Sequence, residues 1–288
     1  MQVNKLATFF GRKILAYCFN LFEGTGIGKI PGVFWIFSRI SSLLFSEIII
    51  DSDQKLYTGG IVGPRTLLAL YHNGSHEPHV SSLFCSLLKN GMTVIDVGAF
   101  IGYYTLLAAK RVGNSGRVLA FEPSPTAFSL LLKNIKINNW NNIKAFNYAV
   151  SDKNGKKIFD LSRLSFAHTK SSNTVVVNTV SIDSFLHSLS IDDVDLVKID
   201  VEGAELEVLR GMKRILSRGK VKIICEVHPD RLSSLGYSTE DVENILEEYG
   251  YEIYLISPDG LIPTDSIGDT YAHYLFTAEK ITDTRKDA

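Results

Sequence analysis

Several short apolar runs of the sequence end directly in a carboxylate, a residue type that can bind a ligand or move a proton. These carboxylates are Asp96, Glu122, Asp200 and Glu226, and Glu202 stands two residues after Asp200. His228 follows close behind Glu226. Ionised carboxylates accept hydrogen bonds from hydroxyl groups, and carboxylates and imidazoles are common proton acceptors in acid–base catalysis. These residues are the candidates for chemistry if the fold brings the ends of the runs together.

Asp96 leads into a glycine-spaced turn that contains Gly98 and Gly102 in a G-x-x-x-G pattern. An acid at a strand end before such a turn is typical of S-adenosylmethionine sites, where glycine lets the backbone pass close to the methionine part of the ligand. The G-x-G-x-x-G pattern of nicotinamide-binding folds, which serves a pyrophosphate, is absent from the sequence. An ordinary tight turn between a strand and a helix stays the alternative.

Glu122 ends the next predicted strand, which covers Arg117–Phe121. In a βαβ unit of roughly thirty residues, this acid arrives at the same sheet edge as the glycine turn. Ser124 and Pro125 follow at once, and they are a favourable N-cap and first residue for a helix. The spacing therefore predicts Glu122 in a very short loop, where its carboxylate accepts both hydroxyls of a ribose.

The composition is that of a globular protein with one large domain, or one domain with an appendage. The chain has 288 residues, of which 45% are hydrophobic, and its net charge is −1. This charge gives no electrostatic case for a nucleic-acid partner. The three cysteines are far apart and contain no C-x-x-C, which favours buried thiols in a reducing compartment. We predict a cytoplasmic protein.

The N-terminal region, residues 1–75, is predicted to be a helical extension. Asn4–Phe22 has apolar residues at helical spacing, and Gly32–Ile50 is strongly apolar. Neither segment resembles a signal peptide. Arg39 and Glu47 interrupt the second segment, which disfavours a membrane span. Helices that pack on the rest of the protein are the leading interpretation, and peripheral membrane contact through an interfacial helix is the main alternative.

Residues 76–280 alternate between strand and helix patterns, and a polar tail, 281–288, follows. The alternation predicts an α/β fold with a doubly wound, mostly parallel sheet of seven strands, whose ligand lies across the carboxyl ends. Two polar strands, near Lys157–Leu161 and Thr174–Val180, are predicted to form a hairpin insertion. Ser238 is predicted to cap a helix over Thr239–Tyr249.

A run of motifs from about His76 to Lys280 resembles the FkbM-type methyltransferases, a branch of the class I S-adenosylmethionine-dependent enzymes. In order, the motifs are Gly74–Pro78, Val94–Ala99 with Gly102–Thr105, Phe121–Pro123, Ala149–Asp152 and Lys198–Glu205. The last, K-I-D-V-E-G-A-E after a strand, is the most specific. The resemblance does not cover residues 1 to about 70. It implies methyl transfer from S-adenosylmethionine to a hydroxyl of a natural product, sugar or glycan.

The resemblance also implies a role for each matching residue. Asp96, Gly98 and Gly102 are expected on the methionine side of the ligand, Glu122 on the ribose, and Ala149 and Val150 along the adenine. Glu77 is expected to close over the ligand, with a purely structural role as an equal alternative. Asp200 occupies the position nearest the transferred methyl group.

Catalysis of methyl transfer depends on alignment of the nucleophile and benefits from a nearby base. We predict that Asp200 positions the acceptor and that Glu226 or His228 removes its proton. No resident metal is predicted, although Asp200 with Glu226 could instead hold Mg²⁺. The N-P-P-Y pattern of amino-group methylation is absent, which favours oxygen as the acceptor atom. An RNA methyltransferase and a non-catalytic ligand-binding protein of the same fold are the alternative functions.

Overall fold

The computed structural model describes residues 47–62, 66, 70, 75–168 and 171–281, and divides the chain into two units, Met1–Pro78 and His79–Ala288. In the first unit, strands β1 (Glu47–Ile50) and β2 (Gln54–Tyr57) form an antiparallel pair. Side chains alternate between buried and exposed along β1. The last part of the apolar segment Gly32–Ile50 is therefore a strand, not the helix predicted from the sequence. The remainder of the two predicted N-terminal helices lies outside the described residues.

From Pro78 onward, helices and strands alternate as the sequence pattern predicts. In chain order they are α1 (Pro78–Leu87), β3 (Thr93–Val97), α2 (Tyr103–Val112), β4 (Arg117–Phe121), α3 (Pro125–Ile137), β5 (Ile143–Phe146), β6 (Ala149–Val150), β7 (Gly155–Asp160), β8 (Ser165–Ala167), β9 (Thr174–Val180), α4 (Ile182–Ser188), β10 (Leu196–Ile199), α5 (Glu205–Arg210), α6 (Lys213–Leu216), β11 (Lys222–Val227), α7 (Pro229–Ser234), α8 (Thr239–Glu248), β12 (Glu252–Ser257), β13 (Gly260–Thr264) and β14 (Ala272–Thr277).

The large sheet has the strand order β13-β12-β14-β11-β10-β3-β4-β5. Strands β11, β10, β3, β4 and β5 are parallel, and β14 is antiparallel to both β11 and β12. All four residues of β10 are buried although their side chains alternate between the faces, so both faces of the sheet are covered there. The predicted α/β fold with a mostly parallel sheet is confirmed. The sheet has eight strands, not seven, because Gly260–Thr264 pairs with β12 as a hairpin.

The parallel strands end at one edge of the sheet, here called the carboxyl edge. Asp200 follows β10, the end of β3 leads into Gly98, and Glu122 follows β4. The first residue of β14, Ala272, pairs with Val227 at the end of β11, so β14 begins at this edge. The carboxyl edge is therefore where strand-end residues from distant parts of the sequence meet.

A second sheet, with the order β6-β9-β7-β8, includes the predicted hairpin insertion. Strand β7 pairs antiparallel with both β8 and β9, and β6 pairs parallel with β9. Only Asn147 and Tyr148 separate β5 from β6. The small sheet consequently starts directly after a strand of the large one.

The predicted helix caps are also present. Ser238 and Asp241 form a reciprocal capping box at the start of α8, and the Ser124 side chain accepts a hydrogen bond from the Ala127 amide at the start of α3. In the part of the chain that the structure describes, none of the helices has the length and apolar character needed to cross a bilayer.

Candidate active site

The turn after β3 brings two glycines into contact with other parts of the protein. Gly98 has φ +80°, and a Cβ on it would lie 1.8 Å from the backbone oxygen of Asp200. Gly102 has φ +97°, and a Cβ there would lie 2.6 Å from Cδ1 of Leu131. The sequence predicts that a ligand requires these glycines, but the fold already requires both: Gly98 because of the backbone of Asp200, and Gly102 because of its positive φ. Position 98 cannot accommodate a side chain because the turn packs directly against the end of β10.

Asp96 is buried behind this turn. Its Oδ2 accepts a hydrogen bond of 2.5 Å from Oγ1 of Thr105, and it lies beside Lys198 in the parallel register of β3 and β10. Burial raises the pKa of Asp96 to about 6, opposed by the hydrogen bond from Thr105 and the charge of Lys198. These contacts are with the protein, and contact with the methionine part of a ligand stays a prediction.

Glu122 is held rigidly by two backbone amides. Its Oε2 accepts a hydrogen bond from the amide of Phe100 and its Oε1 one from the amide of Ser124, both of 2.8 Å. Burial raises the pKa of Glu122 to about 7, although both hydrogen bonds lower it. An ionised carboxylate can accept about four hydrogen bonds, so each oxygen keeps capacity for one more donor.

A cavity of about 210 Å³ lies at the carboxyl edge, between the ends of β3, β4 and β10 and the small sheet. Six residues predicted from the sequence line it together: Gly98, Glu122, Ala149, Val150, Asp200 and Glu202. Phe159, Leu164 and Phe166 of the small sheet also line it, and no motif identified them. In the sequence, these three residues are distinguished only as apolar positions within an otherwise polar insertion.

Lys198, the first residue of the K-I-D-V-E-G-A-E motif, is a buried cation for which the sequence predicts no role. Its side chain is fully buried, and its Nζ lies 3.8 Å from Oδ2 of Asp200 and 3.9 Å from Oε2 of Glu226. Nζ also lies 5.1 Å from the ring centroid of Tyr104. The protein itself thus supplies a positive charge to the clustered acids.

Asp200 and Glu226 interact closely and have opposite pKa shifts. Burial raises the pKa of Asp200 well above its usual value, and the neighbouring Glu226 charge raises it further against the effect of Lys198. Burial also opposes ionisation of Glu226, but hydrogen bonds from His228 and His273 and the charge of Lys198 hold its pKa well below the usual range. The two carboxylates therefore titrate as a pair, in which Asp200 holds a proton more tightly than Glu226 does.

His228 is surrounded by three carboxylates. Its Nε2 lies 3.0 Å from Glu202 and 3.3 Å from Glu226, and its Nδ1 lies 3.2 Å from Glu205. Burial alone would lower the pKa of His228, but hydrogen bonds to Glu205 and Glu226 and the charge of Glu202 raise it to about 10. At neutral pH both ring nitrogens carry protons, which argues against the predicted role as a base and leaves His228 as a fixed cation.

Not every predicted residue reaches the cavity. Among the described residues, Asp96, Gly102, Glu226 and His228 do not line it. They lie one layer behind: Gly102 packs on Leu131, and Glu226 and His228 belong to the charged cluster beside Asp200. Glu77 lies in the first unit, with φ 48°, and its expected closure over a ligand stays a prediction.

Comparison with known proteins decides the family. Residues 96–253 match the model of the methyltransferase FkbM domain, which is more than half of the chain. The chain belongs to the FkbM methyltransferase family. All residues that line the cavity fall within the matched stretch. The cavity is thus part of the FkbM domain itself.

Two curated relatives and one solved structure illustrate the FkbM likeness. Hexuronic acid methyltransferase AglP of Haloferax volcanii is 30% identical over 156 residues, which are 53% of this chain and 60% of AglP. Methyltransferase 1 of Beauveria bassiana is 26% identical over 196 residues, 59% of this chain and 76% of that protein. The FkbM methyltransferase structure from Methylobacillus flagellatus aligns with a TM-score of 0.46 at 17% identity, over 96% of this chain and 60% of that one.

Proposed function

We propose that this chain transfers the methyl group of S-adenosylmethionine to a hydroxyl oxygen of a sugar, glycan or other natural product. The observation that carries the proposal is the shared cavity: Glu122 and Asp200, which follow different strands, line it together with Gly98. One acid suits the ribose of a nucleoside, and the other suits an acceptor hydroxyl. Membership of the FkbM family supports the reaction class.

Two features of the cavity support S-adenosylmethionine as its ligand. The fixed Glu122 carboxylate has remaining capacity for the two ribose hydroxyls, and the apolar surface around Ala149 and Val150 suits an adenine ring. When bound, S-adenosylmethionine supplies a methyl carbon made electrophilic by its sulfonium charge. Asp96 supports this site from behind, because its bond to Thr105 joins the end of β3 to α2.

In this proposal Asp200 orients the acceptor hydroxyl and, in its ionised form, accepts its proton. About a third of its side chain is exposed, and it faces the cavity. The raised pKa makes the ionised Asp200 carboxylate a stronger proton acceptor than an ordinary aspartate. Glu226, held by Lys198 and His228, lies beside Asp200, and its negative charge strengthens Asp200 as a proton acceptor. Glu226, one of the two bases predicted from the sequence, would thus act through Asp200.

The relative AglP is named for a hexuronic acid, and this supports a sugar acceptor for the present chain. A hexuronic acid offers two kinds of oxygen, the ring hydroxyls and the carboxylate. Methylation of a hydroxyl gives an ether, which is stable to alkali, whereas methylation of the carboxylate gives an ester that alkali cleaves. A hydroxyl must lose a proton when it is methylated, and Asp200 lines the cavity as a proton acceptor, whereas an ionised carboxylate has no proton to lose; this favours the hydroxyl.

The test uses methyl-labelled S-adenosylmethionine with host extract and with simple hexuronic acid glycosides. We expect label in an alkali-stable sugar product. Asp200→Asn should lower turnover by about 100-fold, since a positioned base contributes that order, while S-adenosylhomocysteine still binds. Asp259→Asn, in an exposed turn after β12, is the matched control and should behave as wild type. Label in RNA alone, or full turnover by Asp200→Asn, would refute the proposal.

A further inference from the structure

The hairpin β7–β8 contributes a wall to the cavity that no motif of the sequence marks. This hairpin wall consists of Phe159, Leu164 and Phe166. Phe159 and Phe166 are directly paired across the two strands, and their rings meet edge to face at 6.4 Å between centroids. Cross-strand aromatic pairs present a firm apolar surface. Such a surface suits the flat face of a purine.

Lys157 lies on the same face of β7 as Phe159, because side chains two residues apart in a strand point to the same side. Its Nζ lies 4.6 Å from the ring centroid of Phe166, within the range of a cation–π interaction. The ammonium group therefore contacts the hairpin wall directly, at the ring of Phe166.

The same ammonium group forms an ion pair with Glu207 of α5. The Glu207 side chain is only 7% exposed, and its Oε2 also accepts a 2.7 Å hydrogen bond from Oγ of Ser151. Ser151 directly follows Val150, which also lines the cavity. Glu207 thus joins the hairpin to the segment that contains Ala149 and Val150, and Ala149 packs in one apolar cluster with Phe159, Leu164 and Phe166.

A second contact holds the tip of the hairpin. Nη1 of Arg231 donates a 3.1 Å hydrogen bond to the backbone oxygen of Arg163, and the same nitrogen lies 2.6 Å from Oε2 of Glu202. Glu202 lines the cavity. The hairpin is therefore tied at its base through Lys157 and at its tip through Arg231.

We propose that Lys157 is a positioning residue for nucleoside binding, which holds the hairpin wall against the adenine end of the cavity through Glu207 and Phe166. This rests on the proposed function, because it assumes that the cavity binds S-adenosylmethionine. Lys157 acts on the ligand only through the wall. Its loss should loosen the hairpin wall and weaken the binding of every ligand that carries the adenine ring.

The experiment measures affinity by calorimetry for S-adenosylhomocysteine and for 5′-methylthioadenosine, which lacks the amino-acid part. Lys157→Met keeps the length of the side chain and removes its charge, and we expect both ligands to bind about tenfold more weakly, or ~1.4 kcal/mol. Lys157→Arg should restore affinity to within about twofold, since it keeps the charge. The matched control is Lys156→Met, on the exposed face of β7, which should bind as wild type.

Thermal unfolding is recorded for each variant, because a merely structural role would lower the melting temperature and leave affinity unchanged. That result for Lys157→Met would overturn the proposal. If Lys157→Met does not fold, Phe166→Leu provides the second test, and unchanged affinity in that variant would overturn the proposal equally. If wild-type protein binds neither nucleoside, the proposed function fails; if it binds both and the Lys157 variants match it, only this inference fails.

Discussion

Acidification should weaken nucleoside binding through a single carboxylate, Glu122. Its oxygens already accept hydrogen bonds from the amides of Phe100 and Ser124, and a ribose would add two more donors. Only the ionised carboxylate accepts all four. Because burial raises the pKa of Glu122 to about 7, the group changes its charge in the neutral range instead of near pH 4.5. Both a change of pH and the substitution Glu122→Gln therefore test the ribose assignment.

The size of the effect follows from the fraction of Glu122 that is ionised. Below the pKa this fraction falls about tenfold for each pH unit, so at about pH 5.5 it is roughly 30-fold smaller than at about pH 8. If binding requires the ionised form, affinity falls by the same factor, about 30-fold or ~2 kcal/mol. A carboxylate with an ordinary pKa would give almost no change over this range.

The assay is calorimetric titration of 5′-methylthioadenosine over this pH range, since that ligand has no amino-acid group to titrate. We expect wild-type affinity to rise with pH and level off above about pH 7.5, half a unit past the pKa. Glu122→Gln should bind weakly at every pH. Asp96 has a pKa of about 6, and any pH dependence it causes persists in Glu122→Gln. Wild-type affinity that is flat with pH, or a substituted protein that binds like wild type, would refute the ribose assignment.

The contribution of Glu122 to protein stability should depend on pH in the opposite direction, decreasing as the pH rises. The folded protein binds this proton more tightly than the unfolded chain does, because the pKa is raised from 4.5 to about 7. The contribution of Glu122 to the free energy of unfolding is thus fully present below about pH 4.5 and is lost as the pH rises through 7. Wild type and Glu122→Gln compared by urea unfolding at several pH values would measure this difference.

Three further substitutions test other parts of the structure. Gly98→Ala should cost about 3 kcal/mol or more of unfolding free energy and abolish nucleoside binding, because φ is +80° and the new Cβ would meet the Asp200 oxygen; urea unfolding near the wild-type midpoint would contradict this. Lys198→Met should cost about 3–5 kcal/mol, since it leaves Asp200 and Glu226 without their buried cation; a loss below about 1 kcal/mol in the same assay would show that the acids do not need it. Ser238→Ala removes the cap of α8 and should cost about 1 kcal/mol with nucleoside affinity unchanged; thermal unfolding identical to wild type would argue against the capping box.

The positions of the acids at the carboxyl edge could be predicted from the sequence, and the reason is geometric. Asp96, Glu122 and Asp200 each follow a short apolar run, and parallel strands bring their ends to one edge of a sheet. The strand order then places the three runs side by side, as β4, β3 and β10. The spacing within one βαβ unit was sufficient to place Asp96 and Glu122 at the same edge. Asp200 could be placed there because its strand is parallel to theirs.

The charge state of the site could not be predicted in the same way. The pKa of His228 depends on how many carboxylates face it, and these come from α5, β11 and the loop before α5. Lys198 gave a recognisable signal, a charged residue within an otherwise apolar strand. Asp200 is close to it in sequence, but its other ion-pair partner, Glu226, lies on the neighbouring strand β11. The need for glycine at position 98 likewise could not be predicted from neighbouring residues, because the backbone of Asp200 occupies the space that a side chain would fill.

The most direct measurement is a crystal structure of the protein with S-adenosylhomocysteine. The central claim is that a nucleoside lies in the cavity between Glu122 and Asp200. We expect both ribose hydroxyls to donate to Glu122, the adenine to lie between Val150 and Phe166, and the sulfur to face Asp200. A nucleoside bound elsewhere, or a ribose that makes no contact with Glu122, would contradict the claim.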